Sequence, residues 1–106
     1  MSYFEDKGIK LPSIDEADNE NNPLAIAHFD NGKWDWYVIG GKKLDNGDFY
    51  LYGLVNGIDK ELGMFTLRQI QDVGAEIDED FSPIGVFDIY EDFDLRRWLT
   101  NEDNKS

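Results

Sequence analysis

Residues 34–71, WDWYVIGGKKLDNGDFYLYGLVNGIDKELGMFTLRQIQ, form the long stretch in which apolar and aromatic side chains are densest. Trp34, Trp36 and Val38 fall on one parity, while Tyr37 and Ile39 fall on the other. A period of two is typical of a β-strand, and apolar residues on both parities indicate a strand that is covered on both faces. The stretch therefore predicts a β-meander that ends in a short helix.

Three Asn-Gly pairs separate the predicted strands, because Asn-Gly favours the tight turns that join antiparallel strands. Asn31-Gly32 precedes the aromatic strand, Asn46-Gly47 precedes the next one, and at Asn56-Gly57 the chain turns again. The second pair ends a longer connection over residues 40–47. The sequence predicts antiparallel strands over residues 24–29, 33–40 and 48–56, the last of them central, and a shorter strand over residues 61–65.

Thr66 is the predicted N-cap of the helix. Gln69 lies three residues later, at the capping-box position, and Leu67 and Ile70 follow at helical spacing until Gly74 ends the helix. The sequence therefore predicts one short helix that packs on the sheet.

Both flanks are acidic and poorer in apolar residues. Within residues 1–22 we expect mostly loose chain, with a capping-box turn from Ser13 to Glu16. Residues 75–81 predict an acidic edge strand, since charges on an edge discourage pairing between sheets. Asp94 is the expected cap of a C-terminal helix, whose apolar side comprises Leu95, Trp98 and Leu99.

The predicted fold class is α+β: an antiparallel sheet of four or five strands with one packed helix and a short C-terminal helix. The length of 106 residues suits a single domain over residues 1–106. We expect an ordered core over residues 24–100 and flexible segments over residues 1–22 and 101–106.

Charge and composition exclude several classes of function. Twenty-three Asp and Glu against ten Lys and Arg give a net charge of −13, which opposes direct binding to nucleic acid. Without cysteine the chain has no disulfide, no thiol nucleophile and no thiolate metal site. Neither a secretory signal nor a membrane-spanning apolar run is seen, so we expect a cytoplasmic protein without membrane contact.

The residue types that carry catalysis are sparse. His28, the one histidine, lies in the first predicted strand and is interpreted as structural. Residues 80–91 have the length of an EF-hand loop, but Ser82 and Ile84 occupy positions that need better oxygen ligands. We therefore expect neither an enzyme nor a metal site, and no cofactor. Trp34 and Tyr50 belong to a set of aromatic residues whose side chains are interpreted as packing in the core and between strands.

The distribution of acidic residues is the feature that points to a binding surface. Between Arg68 and Arg96 the chain contains no Lys or Arg. If Asp78 and Asp80 lie two apart on one strand, their side chains are about 6.6 Å apart and repel each other. The candidate partner-binding residues are the nine acids of this window: Asp72, Glu76, Asp78, Glu79, Asp80, Asp88, Glu91, Asp92 and Asp94.

Four sequence motifs resemble a family catalogued as domain of unknown function 2958, whose members are small proteins of conjugative elements, plasmids and phages. The motifs are WDWYV at 34–38, YGLVNG at 52–57, ELGMFTL at 61–67 and EIDEDFSP at 76–83. The resemblance covers residues 24–83. The chain departs from the family pattern at Met64, where an aromatic is usual, and at residues 78–80, which lack a basic neighbour. The resemblance implies a mobile-element setting and no particular activity.

Charge and resemblance together suggest an inhibitor of a host defence nuclease, anti-CRISPR or anti-restriction in type. It would mimic DNA and occupy a basic nucleic-acid-binding site. One alternative is an immunity-type protein that neutralises a cationic toxin. Another is an accessory protein whose acidic surface serves only solubility. The sequence leaves the oligomeric state open.

Overall fold

The computed structural model describes residues 3–90, in which an antiparallel sheet carries apolar side chains on both faces. The strands are β1 (Leu24–Ala25), β2 (Ala27–Asp30), β3 (Asp35–Lys43), β4 (Phe49–Asn56), β5 (Lys60–Thr66), β6 (Glu76–Ile77) and β7 (Ile84–Gly85). The helices are α1 (Tyr3–Asp6), α2 (Ile14–Asp18) and α3 (Leu67–Asp72), and a 3₁₀ helix occupies Val86–Asp88.

Five of the strands form one sheet in the order β5-β4-β3-β2-β6, and β1 pairs with β7 in a second, two-stranded sheet. Every pairing is antiparallel. The predicted α+β class, the five-stranded sheet and the interior position of β4 are confirmed. The predicted C-terminal helix and the tail over residues 101–106 lie outside the described residues. None of the helices described within residues 3–90 is long and apolar enough to cross a membrane.

The turns at Asn31-Gly32 and Asn46-Gly47 form as predicted, but the second is shorter than expected. In the first, the Asn31 side chain accepts the backbone N–H groups of Lys33 and Trp34. In the second, β3 continues to Lys43 and the turn is confined to residues 44–48. The register of β3 with β4 shifts between Val38 and Gly40, where a β-bulge accommodates one extra residue, and pairing then continues from Gly40 to Lys43.

The strand predicted over residues 24–29 is in fact two strands in different sheets. The chain leaves the large sheet before Ala27, and Leu24 and Ala25 pair with Gly85 and Ile84 instead. Ala25 is fully buried under the large sheet. The break thus allows the smaller sheet to cover an apolar face that would otherwise be open.

Each face of the large sheet has its own core. One core lies between the sheet and α1 and α3, and it comprises Phe4, Ala27, Phe29, Trp36, Val38, Phe49, Leu51, Phe65, Leu67, Ile70 and Ala75. The other lies between the sheet and α2, the two-stranded sheet and the 3₁₀ helix, and it comprises Ala17, Ala25, Tyr37, Ile39, Leu54, Val86 and Phe87. The alternating pattern of β3 and β4 therefore supplies both cores.

Helix α3 begins at the predicted cap. Thr66 accepts the Gln69 N–H at 3.1 Å, and the Gln69 side chain accepts the Thr66 N–H at 2.9 Å. Asp48 of the preceding turn accepts the Arg68 N–H at 3.0 Å and fixes the helix to the sheet. Burial alone would raise the pKa of Asp48, but hydrogen bonds from the Phe49 and Arg68 amides outweigh it and lower that pKa.

The N-terminal segment packs on the sheet, where the sequence indicated loose chain. Phe4 is 1% exposed, and its ring centroid lies 5.0 Å from that of Phe49 and 6.3 Å from that of Phe29. The aromatic face of the sheet provides the apolar surface that holds α1 in place. The capping box of Ser13 and Glu16 forms as predicted and begins α2.

Replacing Phe4 tests this packing. We expect Phe4→Ala to lower the free energy of unfolding by about 3 to 5 kcal/mol, because it removes a buried aromatic ring and leaves a cavity. Tyr50→Ala, at a residue that is 37% exposed, is the control and should cost less than about 1 kcal/mol. Urea unfolding measures both. Equal, small effects would show that residues 3–6 do not contribute to the core.

Candidate protein-binding surface

Strand β6 closes one edge of the large sheet. It pairs with β2, with Phe29 opposite Ile77 and Asp30 opposite Glu76. The acidic edge strand predicted over residues 75–81 is confirmed, although only residues 76–77 have strand geometry. Ile77 packs against the first core, so Glu76 lies on the opposite face of the sheet.

Residues 78–80 form a turn and not a continuation of the strand. The Asp78 N–H donates to the His28 carbonyl at 2.8 Å, and the Phe81 N–H donates to the Asp78 carbonyl at 3.3 Å. The Asp78 carboxylate accepts the Asp80 N–H at 3.0 Å. The expectation that Asp78 and Asp80 share one strand face is therefore wrong, because the Asp78 side chain competes for a backbone donor and bends the chain.

His28 links this turn to the sheet. Its Nδ1 lies 3.1 Å from an Asp78 carboxylate oxygen, and its Nε2 lies 2.8 Å from an Asp35 carboxylate oxygen. The ring stacks on Tyr37, with centroids 4.5 Å apart and planes 12° apart. Because an ionised carboxylate only accepts hydrogen bonds, the imidazolium form, which has two N–H donors, satisfies both contacts at once.

The contact with His28 also stabilises the charged form of Asp78. The hydrogen bond from the His28 side chain, followed by the one from the Asp80 amide, lowers the pKa of Asp78. Asp78 is half-buried and engaged in the fold, so it is less available to a partner than its neighbours in sequence.

A polar network continues from Asp35 across the sheet. The Asn56 amide donates to Asp35 at 3.3 Å and to the Tyr90 hydroxyl at 3.0 Å, and the Tyr90 and Tyr37 hydroxyls lie 3.0 Å apart. Burial, followed by the hydrogen bond with Tyr90, raises the pKa of Tyr37. The network holds the end of the described chain against β3 and β4.

Strand pairing gathers acidic residues that are distant in sequence. One residue from each strand of the large sheet lies in register in a single row, which runs Glu76, Asp30, Asp35, Asn56 and Lys60. Sequence reasoning missed Asp30 and Asp35 as members of this row. The hairpin signal at Asn31-Gly32 already implied that they pair, but the return of β6 to β2 has no local signal.

The structure separates the predicted site residues into groups. Asp88 accepts a hydrogen bond from the Asn22 side chain at 3.1 Å, beside the two-stranded sheet, and Asp78 belongs to the His28 contact. Glu91, Asp92 and Asp94 lie outside the described residues. The exposed remainder, which we call the acidic edge, follows the end of α3, β6 and the turn: Asp72, Glu76, Glu79 and Asp80.

One lysine reaches the acidic edge from another element. Lys7 follows α1, and its Nζ lies 3.4 Å from a carboxylate oxygen of Glu79. The Glu79 side chain is 71% exposed. An ion pair this exposed contributes little to stability. The acidic edge therefore retains most of its negative charge.

His28, Asp30 and Asp35 are the residues that could hold a metal ion, since one ligand atom from each lies within 4.8 Å of the others. Both His28 ring nitrogens already contact carboxylates. A metal would have to displace one of these contacts, and the same occupancy leaves neither nitrogen free to act as a general base. We assign neither a metal nor a catalytic role to the cluster.

Comparison with protein-family models, with curated proteins and with solved structures finds no match for this chain. The resemblance noted from the sequence motifs therefore stays a prediction. Fold and surface define the class of protein: an α+β domain whose antiparallel sheet has one acidic edge.

The lowered pKa of Asp78 has a consequence for stability. A carboxyl whose folded pKa is depressed contributes stability above its unfolded pKa of about 3.9, and this contribution is lost as pH falls through the folded value. The difference in unfolding free energy between the wild type and Asp78→Asn should thus be present at about pH 5 and shrink below about pH 4.

Urea unfolding at successive pH values measures this difference. Asp72→Asn, at an exposed carboxyl of the acidic edge, is the control and should give a small difference throughout. If Asp78→Asn behaves like Asp72→Asn over the whole range, the contact between His28 and Asp78 does not stabilise the fold.

Proposed function

We propose that this protein binds a basic nucleic-acid-binding protein through the acidic edge and inhibits it by occupying the site for DNA. The partner is a host defence nuclease, which makes the protein an anti-CRISPR or anti-restriction inhibitor and not an enzyme. The observation that carries the proposal is the set of exposed carboxylates at Asp72, Glu76, Glu79 and Asp80.

Electrostatics supports a cationic partner. The chain has a net charge of −13, and the acidic edge concentrates negative charge where one short strand borders the sheet. Such a surface accelerates association with a Lys- and Arg-lined cleft, and it repels nucleic acid itself. Complementary charge thus favours a protein that normally binds phosphates.

The local structure suits a surface that binds without rearranging. The turn is held by the His28 carbonyl, by the His28 ring and by the Asp80 amide. Glu79 and Asp80 therefore project from backbone that is already ordered, which reduces the entropy lost on binding.

The cellular setting follows from the same proposal. A nuclease that defends a host against mobile DNA acts in the cytoplasm, so we place the inhibitor there. The resemblance to proteins of phages and conjugative elements is the source of the mobile-element assignment and stands as part of this proposal.

Charge reversal at the acidic edge tests the function. Purified CRISPR effector and restriction nucleases are assayed for DNA cleavage with increasing amounts of the protein. For a nuclease that is inhibited, the variant Glu76→Lys/Glu79→Lys/Asp80→Lys should raise the inhibitor concentration needed for half-inhibition by at least about tenfold. Asp78 is left unchanged because it supports the fold.

The matched control is Asp6→Lys/Glu20→Lys/Asp45→Lys, which makes the same change in net charge at exposed residues of other elements. It should retain most of the inhibition. Equal loss in both variants would show that only overall charge matters, and full inhibition by the acidic-edge variant would contradict the proposed site. Circular dichroism verifies that both variants are folded.

A further inference from the structure

The edge of the large sheet opposite the acidic edge is formed by β5. Within residues 3–90, β5 pairs with β4 on one side, and no described strand pairs with its other side. The strand is seven residues long, whereas β6 has two. A long edge strand presents unpaired N–H and C=O groups, which makes it a template for a further strand.

The side chains of β5 lack the features that usually block such pairing. Its charged residues, Lys60 and Glu61, are adjacent at one end and cancel each other. The other residues of β5 are uncharged. At Gly63, in the middle of the strand, no described atom lies within 4 Å of where a β-carbon would be, so the space beside the strand is open there. Edge strands are commonly protected by inward charges, proline or bulges, and the segment from Leu62 to Thr66 contains neither charge nor proline.

An exposed apolar patch lies beside this edge. Met64 is 47% exposed and faces Tyr52 of β4, and Tyr50, which is also exposed, faces Thr66. These side chains lie on the same face of the sheet as Leu62 and the second core. Pairing along β5 would cover the patch as well as the backbone edge.

We propose that β5 pairs with β5 of a second copy of this chain, antiparallel and centred on Gly63. In this register Leu62 lies opposite the partner's Met64, and Lys60 lies opposite the partner's Thr66. No like charges face each other, and the exposed methionines join one apolar cluster across the interface. Because the charges of Lys60 and Glu61 cancel, β5 does not attract a cationic partner, and pairing with a second β5 is favoured instead.

This pairing goes beyond the proposed function and does not depend on it. Two sheets would join into one, with an acidic edge at each far end. The two chains repel each other through their net charges of −13, so salt strengthens the dimer by screening. Binding of a cationic partner to the acidic edge depends on salt in the opposite sense.

Sedimentation equilibrium of the full chain tests the proposal. The wild type is examined over about 1 μM to 1 mM, which covers dissociation constants of weak to moderate dimers, and at about 0.1 M and 1 M NaCl, where the Debye length is about 10 Å and 3 Å. We expect a monomer–dimer equilibrium with a lower Kd at high salt. Met64→Lys should raise Kd at least about tenfold, because it places a charge on the edge.

Leu24→Lys is the matched control, since Leu24 is 55% exposed and lies in β1; it should leave Kd unchanged. A wild type that stays monomeric under all conditions overturns the proposal, as does equal dimerisation of the two variants. Amide hydrogen exchange of the wild type gives a second readout that needs no variant. The amides of residues 61–65 that point away from β4 should gain protection as concentration rises. Protection of those amides already present in the monomer would overturn the proposal, because the chain would then cover its own edge.

Discussion

The fold depends on one constraint: the central sheet is apolar on both faces, so both faces must be covered. Trp36 and Phe49 require cover on one side, and Tyr37 and Leu54 require it on the other. The described chain meets this demand by folding residues 3–25 and 67–90 back over the meander. Short helices and a two-stranded sheet suffice because each contributes one or two buried side chains, such as Phe4 from α1 and Ala17 from α2.

The same constraint creates the candidate site. After α3 covers the first face, the chain passes the free edge of β2, where β6 pairs. The strand is too short to cover the sheet, and its acidic neighbours remain in solvent. His28 fixes the following turn through Asp78 and is itself supported by Asp35 and Tyr37. A partly buried polar contact at the edge of the core thus determines how the exposed carboxylates are presented.

Sequence patterns within a few residues predicted the strands, turns and helix α3. They did not predict contacts between residues far apart in the chain. The Asn-Gly turns, the alternation in β3 and β4 and the capping box at Thr66 are each encoded within a few residues, and each forms. The break at Ile26, the packing of Phe4 and the return of β6 to β2 depend on residues far apart in the chain. For the site, exposure at Glu76, Glu79 and Asp80 follows from composition. The contact of His28 with both Asp35 and Asp78 does not, because it requires three strands to be placed first.

The central claim is that the acidic edge occupies a site that otherwise holds DNA, and competition tests it most directly. The affinity of an inhibited nuclease for labelled duplex DNA is measured by fluorescence anisotropy, with cleavage prevented, at increasing concentrations of this protein. If the two ligands exclude each other, the apparent Kd for DNA rises in proportion to inhibitor concentration without reaching a limit. A Kd that does not change, or that levels off while the protein remains bound, would show that the nuclease holds both ligands, which would contradict DNA mimicry.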